Sequence, residues 1–285
     1  MADNSKSTPK RKGEKKQKFI AFLKRNMTWT WFKHISYQIF AFLVSVSMIV
    51  GVTVYAFNKN YDEKTLTFMD DFTITAHTGA FDTPDNSMES LETAIQNEVA
   101  VFEIDVRMRP DGTVVMGHDL ITTNTDGVEL STVFSRVKQT KLKLNLDIKE
   151  IRVLEPLYKL ICDYELKDRV FFTGIETFQT KKVKEYCSDI TYYINYKPSR
   201  IKIFSEDYQQ KILELMEETG AVGINCNHIY ASRTLSKVLH KNGYLLSIWT
   251  VDKRYEMKRA LINKPDNITT HYPDVVSEII TNWGK

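Results

Sequence analysis

Cysteine is scarce in this chain, and its placement excludes the chemistry that cysteine usually signals. Only Cys162, Cys187 and Cys226 occur in 285 residues, an odd number with no Cys-x-x-Cys spacing. Neither a thiolate metal site nor a disulfide framework is indicated, and buried thiols are the expected state. Charge of either sign is missing from ISYQIFAFLVSVSMIVGVTVYAF, Ile35 to Phe57. A helix of that length covers ~34 Å, enough for a hydrocarbon core of ~30 Å, and it has no polar face to turn to water. Val54-Tyr55-Ala56 loosely fits a signal-peptide cleavage site, but the leader is too long and the apolar run exceeds a usual h-region, which favours an uncleaved anchor. Acidic residues are nearly absent before the anchor. Residues 1–34 carry ten Lys/Arg against Asp3 and Glu14, a net of +8, which leaves −5 for the remainder of a chain whose total is +3. Beside an apolar span, such a tail reads as its cytoplasmic flank, held by anionic headgroups, and no nucleic-acid partner is expected. The expected organisation is a basic cytoplasmic tail (1–34), a transmembrane signal anchor (35–57), a linker (58–70) and a domain over 71–285 outside the cell membrane.

What that domain contains is regular. Short β-rich runs at 72–76, 101–108, 144–148, 170–174, 191–195, 221–226, 244–250 and 267–271 alternate with segments of helical periodicity. Eight strands separated by helices predict parallel βα units and a (β/α)8 TIM barrel preceded by one transmembrane helix, with a doubly wound open sheet as the alternative. TVVMGHD (113–119), after the turn Pro110-Asp111-Gly112, predicts one extra short strand.

In a barrel the active site lies at the C-terminal ends of the strands. His77 follows the first strand directly. Glu103, Asp105 and Arg107 fall at i, i+2 and i+4 of the second, hence on one face. Asp147 and Lys149 share a face at the end of the third strand, and Trp249 ends the seventh. Three carboxylates gathered at one mouth raise one another's pKa, a conflict that a hard divalent cation removes.

In order along the chain, His77-Thr78-Gly79, Pro84-Asp85-Asn86-Ser87, Glu103-Ile104-Asp105, Asp111-Gly112 and His118-Asp119 resemble the motifs of the glycerophosphodiester phosphodiesterase family. LNLDIK (144–149), GYLLSIWTVD and ITTHYPD (268–274) extend the resemblance over nearly all of residues 71–280. It implies a metal-dependent phosphodiesterase with His77 and His118 as general acid and base. Glu103, Asp105 and Asp147 would ligate Mg²⁺ or Ca²⁺, Lys149 would contact the phosphate, and Trp249 would wall the glycerol moiety. In related enzymes the substrate's own 2-hydroxyl attacks first and forms a cyclic phosphate. The sequence departs from the family at Thr78, where the family has arginine, at Asp147, where it has glutamate, and in a shorter His118–Asn145 segment that implies a more open mouth. The related sphingomyelinase D enzymes also lack that arginine, and Arg107 is the expected replacement cation against the substrate phosphate.

Among the other candidates, His271 ends the eighth strand near the mouth and is considered for a site role. His228 and His240 read as packing residues, His34 as interfacial, and Asn86 with Ser87 as helix caps. The substrate is expected to be a glycerophosphodiester. A lysophospholipase D or sphingomyelinase D-like lipid phosphodiesterase, and a degenerate binding barrel, are the alternatives. Nothing in the sequence fixes the oligomeric state.

Overall fold

The computed structural model describes residues 16–21, 25, 28–62, 66 and 72–284. Helix α1, Trp29–Asp62, starts where the Thr28 hydroxyl accepts a hydrogen bond from the Trp31 amide at 3.2 Å, satisfying one of the orphan donors of the first turn. Its stretch Trp29–Ala56 is long and apolar enough to cross a membrane, and many of its apolar side chains are exposed. The segment expected as the anchor, 35–57, lies inside this helix, which begins earlier and continues to Asp62. Most of the expected basic tail, and residues 63–65 and 67–71 of the expected linker, lie outside the described residues.

The second unit is a closed parallel barrel. Its wall consists of β1 (Thr73–Ala76), β2 (Val101–Met108), β5 (Lys143–Ile148), β6 (Val170–Ile175), β7 (Tyr192–Asn195), β8 (Gly223–Asn227), β9 (Leu245–Trp249) and β10 (Asn267–Thr270). Strand β1 pairs in parallel with β10 on one side and β2 on the other, so the sheet has no free edge in the wall, and the open-sheet alternative is excluded. Two further strands, β3 (Val114–Met116) and β4 (Val128–Glu129), continue from β2 as an antiparallel ribbon. The ribbon's first strand is the extra one expected from TVVMGHD; β4, with two residues, gives no periodicity to read.

Helices α2 (Met88–Gln96), α3 (Leu130–Lys138), α4 (Leu154–Asp163), α5 (Thr180–Tyr186), α6 (Glu206–Thr219), α7 (Arg233–Lys241), α8 (Arg254–Asn263) and α9 (Pro273–Thr281) follow the wall strands in turn. Serines 87, 205 and 232 cap α2, α6 and α7, each hydroxyl accepting an amide from the first turn. Helix α9 has Pro273 in its first turn, where a missing N–H costs nothing.

Strand alternation divides the wall residues. Phe102, Ile104, Leu144, Leu146 and Phe172 are fully buried in the apolar core. Their neighbours of opposite parity, Glu103, Asn145, Thr173, Asn225, Ser247 and Asn267, are also buried and polar, so the barrel interior is a hydrogen-bonded layer. Asn267 receives the Thr73 and Thr75 hydroxyls at 2.9 and 2.6 Å and donates to Ser247 at 3.0 Å. Thr173 donates to Asn145 at 2.8 Å, and Asn225 donates to Asn195 at 3.0 Å.

Candidate active site

Above this layer, at the C-terminal ends of the strands, a cavity of about 460 Å³ is lined by His77, Glu103, Asp105, His118, Asp147, Lys149, Trp249 and His271, among others. Register explains the convergence: Glu103 pairs with Asn145 and Asp105 with Asp147 across β2 and β5, so all four project to the same side.

One carboxylate oxygen from each of Glu103, Asp105 and Asp147 lies within 4.8 Å of the others. Glu103 and Asp105 are buried. Burial, and then the neighbouring carboxylates of Asp105 and Asp147, push the Glu103 carboxyl well above its ordinary value. The Lys149 ammonium answers part of this charge, 2.8 Å from Asp105 Oδ1 and 2.5 Å from Asp147 Oδ2. Burial disfavours its charge, but the two aspartates outweigh that and raise its pKa above the usual value. An all-oxygen set under mutual repulsion suits a hard divalent cation.

The imidazoles are held by what their Nδ1 atoms meet. His77 Nδ1 lies 2.7 Å from the Thr78 carbonyl, which can only accept, so Nδ1 carries the proton and Nε2, 3.7 Å from Glu103, is the basic nitrogen. His118 Nδ1 lies 2.9 Å from Asp119 Oδ1, and both side chains are largely exposed. His271 packs on His77 with ring centroids 4.4 Å apart. Its Nδ1 is 2.9 Å from Asp252 Oδ2, and its backbone N–H donates to Oδ1 at 3.0 Å. Burial works against the Asp252 charge, yet the bonds from His271 hold its carboxyl below the ordinary range. An ionised, acceptor-only Asp252 fixes the Nδ1–H tautomer of His271 and leaves Nε2 for a ligand.

Thr78, where an arginine was the comparison, is buried. Its amide donates to Glu103 Oε2 at 3.2 Å and its hydroxyl accepts the Asn86 amide at 2.5 Å. Asn86, expected as a cap, leaves that task to Ser87. Its side chain makes two reciprocal bonds with Asp105, donating to Oδ2 at 2.8 Å and accepting the backbone amide at 3.1 Å. The left-handed backbone at Asn86 (φ 50°) is one that asparagine tolerates.

Arg107 is the one expected site residue that does not line the cavity. The pairing of β2 with β5 ends at Val106, and from there β2 pairs with β3 instead, so Arg107 leaves the wall. Its Nε donates to the His118 carbonyl at 3.0 Å. The same ribbon holds buried Arg109, whose guanidinium binds the carbonyls of Asp126 and Gly127, each at 2.8 Å, and Glu129 Oε1 at 3.0 Å. His228 and His240 pack away from the cavity, against Arg259 at 3.1 Å and Asp266 at 2.8 Å respectively.

No family model matches the chain. It is 24% identical over 239 residues, 74% of its length, to a glycerophosphodiester phosphodiesterase of Caldanaerobacter subterraneus subsp. tengcongensis, covering 98% of that protein. Among solved structures, one from Galdieria sulphuraria superposes with a TM-score of 0.64 at 17% identity, covering 76% of this chain and 100% of the other. A glycerophosphodiester phosphodiesterase of Parabacteroides distasonis gives 0.60 at 18%, covering 76% and 99%. An Oleispira antarctica phosphodiesterase in complex with the product sn-glycerol-3-phosphate gives 0.55 at 18%, covering 73% and 96%. The family resemblance stated from the motifs and the TIM-barrel expectation are both borne out.

Proposed function

We propose that this chain is a glycerophosphodiester phosphodiesterase, tethered to the cell membrane by the helix that contains 35–57, with the tail 1–34 in the cytoplasm and the barrel of 71–285 outside. The observation that carries the reading is the single cavity into which His77, His118, Glu103, Asp105, Asp147 and Lys149 converge from separate strands and loops. Supporting it, the curated relative just described covers most of the chain.

Hydrolysis of a phosphodiester forms a bond from phosphorus to the attacking oxygen and breaks the bond to the leaving alkoxide. One imidazole takes the proton of the attacking water, or of the substrate's own hydroxyl, while the other protonates the leaving oxygen. His77 is suited to the exchange because the Thr78 carbonyl fixes its tautomer and directs Nε2 as the working nitrogen. His118 is held by Asp119 in the same way. Lys149 would contact a phosphoryl oxygen and Trp249 would flank the alcohol. Glu103, Asp105 and Asp147 would hold Mg²⁺ or Ca²⁺, which when bound neutralises charge on the phosphoryl oxygens. His271 joins the site as a further imidazole, oriented by Asp252 and packed on His77.

The test is hydrolysis of glycerophosphodiesters by the purified full chain with added divalent ion. His77→Ala and His118→Ala should each lower kcat by roughly 10²–10⁴-fold with an unchanged melting temperature. Exhaustive chelation should abolish activity and divalent ion restore it; full activity after chelation would remove the metal role from the three carboxylates.

A further inference from the structure

Among the described residues of the barrel unit, the large apolar side chains left exposed are confined to one end of it. Among its described residues, the large hydrophobics left open to solvent include Leu120, Phe178, Ile201, Phe204, Ile229 and Tyr255. Leu120 follows β3 on the ribbon, Phe178 follows β6, Ile201 and Phe204 follow β7, Ile229 follows β8, and Tyr255 opens α8 after β9. Trp249 and Tyr272, the remaining two, end β9 and follow β10. All lie on the segments that leave the C-terminal ends of the strands and therefore surround the cavity mouth; none lies on the loops at the opposite end. Scattered exposed apolar residues need no explanation, but a ring of them around one opening does.

The β7 loop carries two of the most open of these side chains, Ile201 at 83% and Phe204 at 71% exposed. It interleaves them with exposed Lys197, Arg200 and Lys202, whose side chains make no ion pair or hydrogen bond among the described residues. Apolar side chains alternating with unpaired cations match the interface of a bilayer, where acyl chains lie just beneath anionic phosphates. Trp249 belongs both to the ring and to the cavity wall, so one apolar side chain joins the rim to the cavity that holds the catalytic groups.

From this arrangement we infer that the barrel mouth docks on a lipid surface through the β7 loop and its neighbours, and that the substrate is a phosphodiester that keeps an acyl chain, drawn from that surface past Trp249. The substrate half of this inference rests on the phosphodiesterase reading above; the docking half does not. A lipid is favoured over a protein partner because the cations are unpaired and interleaved with the apolar groups, and because the same chain carries a helix able to cross a bilayer.

The experiment uses the full chain reconstituted in vesicles of phosphatidylcholine mixed with phosphatidylglycerol whose acyl chains are brominated. An environment-sensitive dye is attached at Phe204→Cys in a Cys162→Ser background, with Lys141→Cys, exposed just before β5 at the opposite end, as the reference position. The dye at 204 should be quenched by the brominated chains and the dye at 141 should not. An unquenched dye at 204, or equal quenching at both positions, overturns the docking. In the same vesicles, Ile201→Glu with Phe204→Glu should lower kcat/KM on a lysophospholipid by about tenfold or more for each apolar side chain withdrawn from the bilayer. The same pair should leave turnover of a water-soluble glycerophosphodiester unchanged. Removing Lys197, Arg200 and Lys202 should weaken the lipid response by roughly fivefold per cation. An equal fall on both substrates, or no fall on the lysophospholipid, overturns the substrate assignment. Quenching at 204 with no hydrolysis of either substrate by the unsubstituted chain would instead place the failure in the phosphodiesterase reading.

Discussion

At the scale of single residues, the site depends on side chains that never meet the substrate. Asn86 grips Asp105 through two hydrogen bonds, so Asn86→Ala should free that carboxylate to rotate and weaken divalent-ion affinity by about 10–100-fold, the usual scale for losing an outer partner of a metal ligand. Titration of the purified protein with Mn²⁺, followed by its paramagnetic signal, measures this apart from turnover. Nothing near position 86 reveals the grip: Asn86 stands beside a helix-capping serine, and its partner lies 19 residues on. Glu103 and Asp147, by contrast, were legible because the barrel's own geometry aims strand ends at one place, whereas His118, after the antiparallel ribbon strand β3, came from the family resemblance alone. Arg107 marks the limit of that logic, since alternation places a residue at the mouth only while its strand stays in the wall, and the pairing of β2 with β5 ends at Val106. His228 offers a prediction about pH. Burial, aided by the Arg259 guanidinium and opposed by Glu256, lowers its pKa. Its contribution to stability is therefore complete above the unfolded value of about 6.5 and is lost as pH falls through the lower folded value. Melting temperatures measured on either side of neutrality should decline less on acidification in His228→Gln than in the unsubstituted chain; identical slopes would exclude the role.

Among the elements, the wall strands and the helices between them were readable because period-2 and period-3.6 patterns alternate cleanly along the chain. Helix α9 escaped that reading, and β4 was too short for a pattern. One close fit between element and site is at Gly174, near the end of β6. Its φ is +74°, and a Cβ there would stand 2.6 Å from Asp147 Oδ1 and from the Ile148 carbonyl. Gly174→Ala must therefore move either the Asp147 carboxylate or the β5 backbone. Activity should fall by more than tenfold, with stability down by about 1–3 kcal/mol from strain at a left-handed position. A variant with unaltered kinetics would show that Asp147 tolerates displacement, which is incompatible with a ligand role.

For the whole molecule, the proposed topology makes a prediction independent of chemistry. If 35–57 is an uncleaved anchor with the basic tail inside, protease admitted to the outer face of intact cells should digest the barrel and spare an N-terminal tag. A mature chain starting near Phe57 would show a removed signal peptide instead. Closure of the barrel carries a further consequence, one of timing. The strand that seals it is the last of the wall to be made: Thr73 on β1 takes its partner from Asn267 on β10, 194 residues later. At a synthesis rate of ~5–20 residues per second, β1 waits on the order of ten seconds or more for its neighbour, and the wall meanwhile has an unpaired edge. The wall therefore cannot close before β10 has been made, and until then the edges of β1 and β9 are the part of this fold most exposed to pairing with another chain.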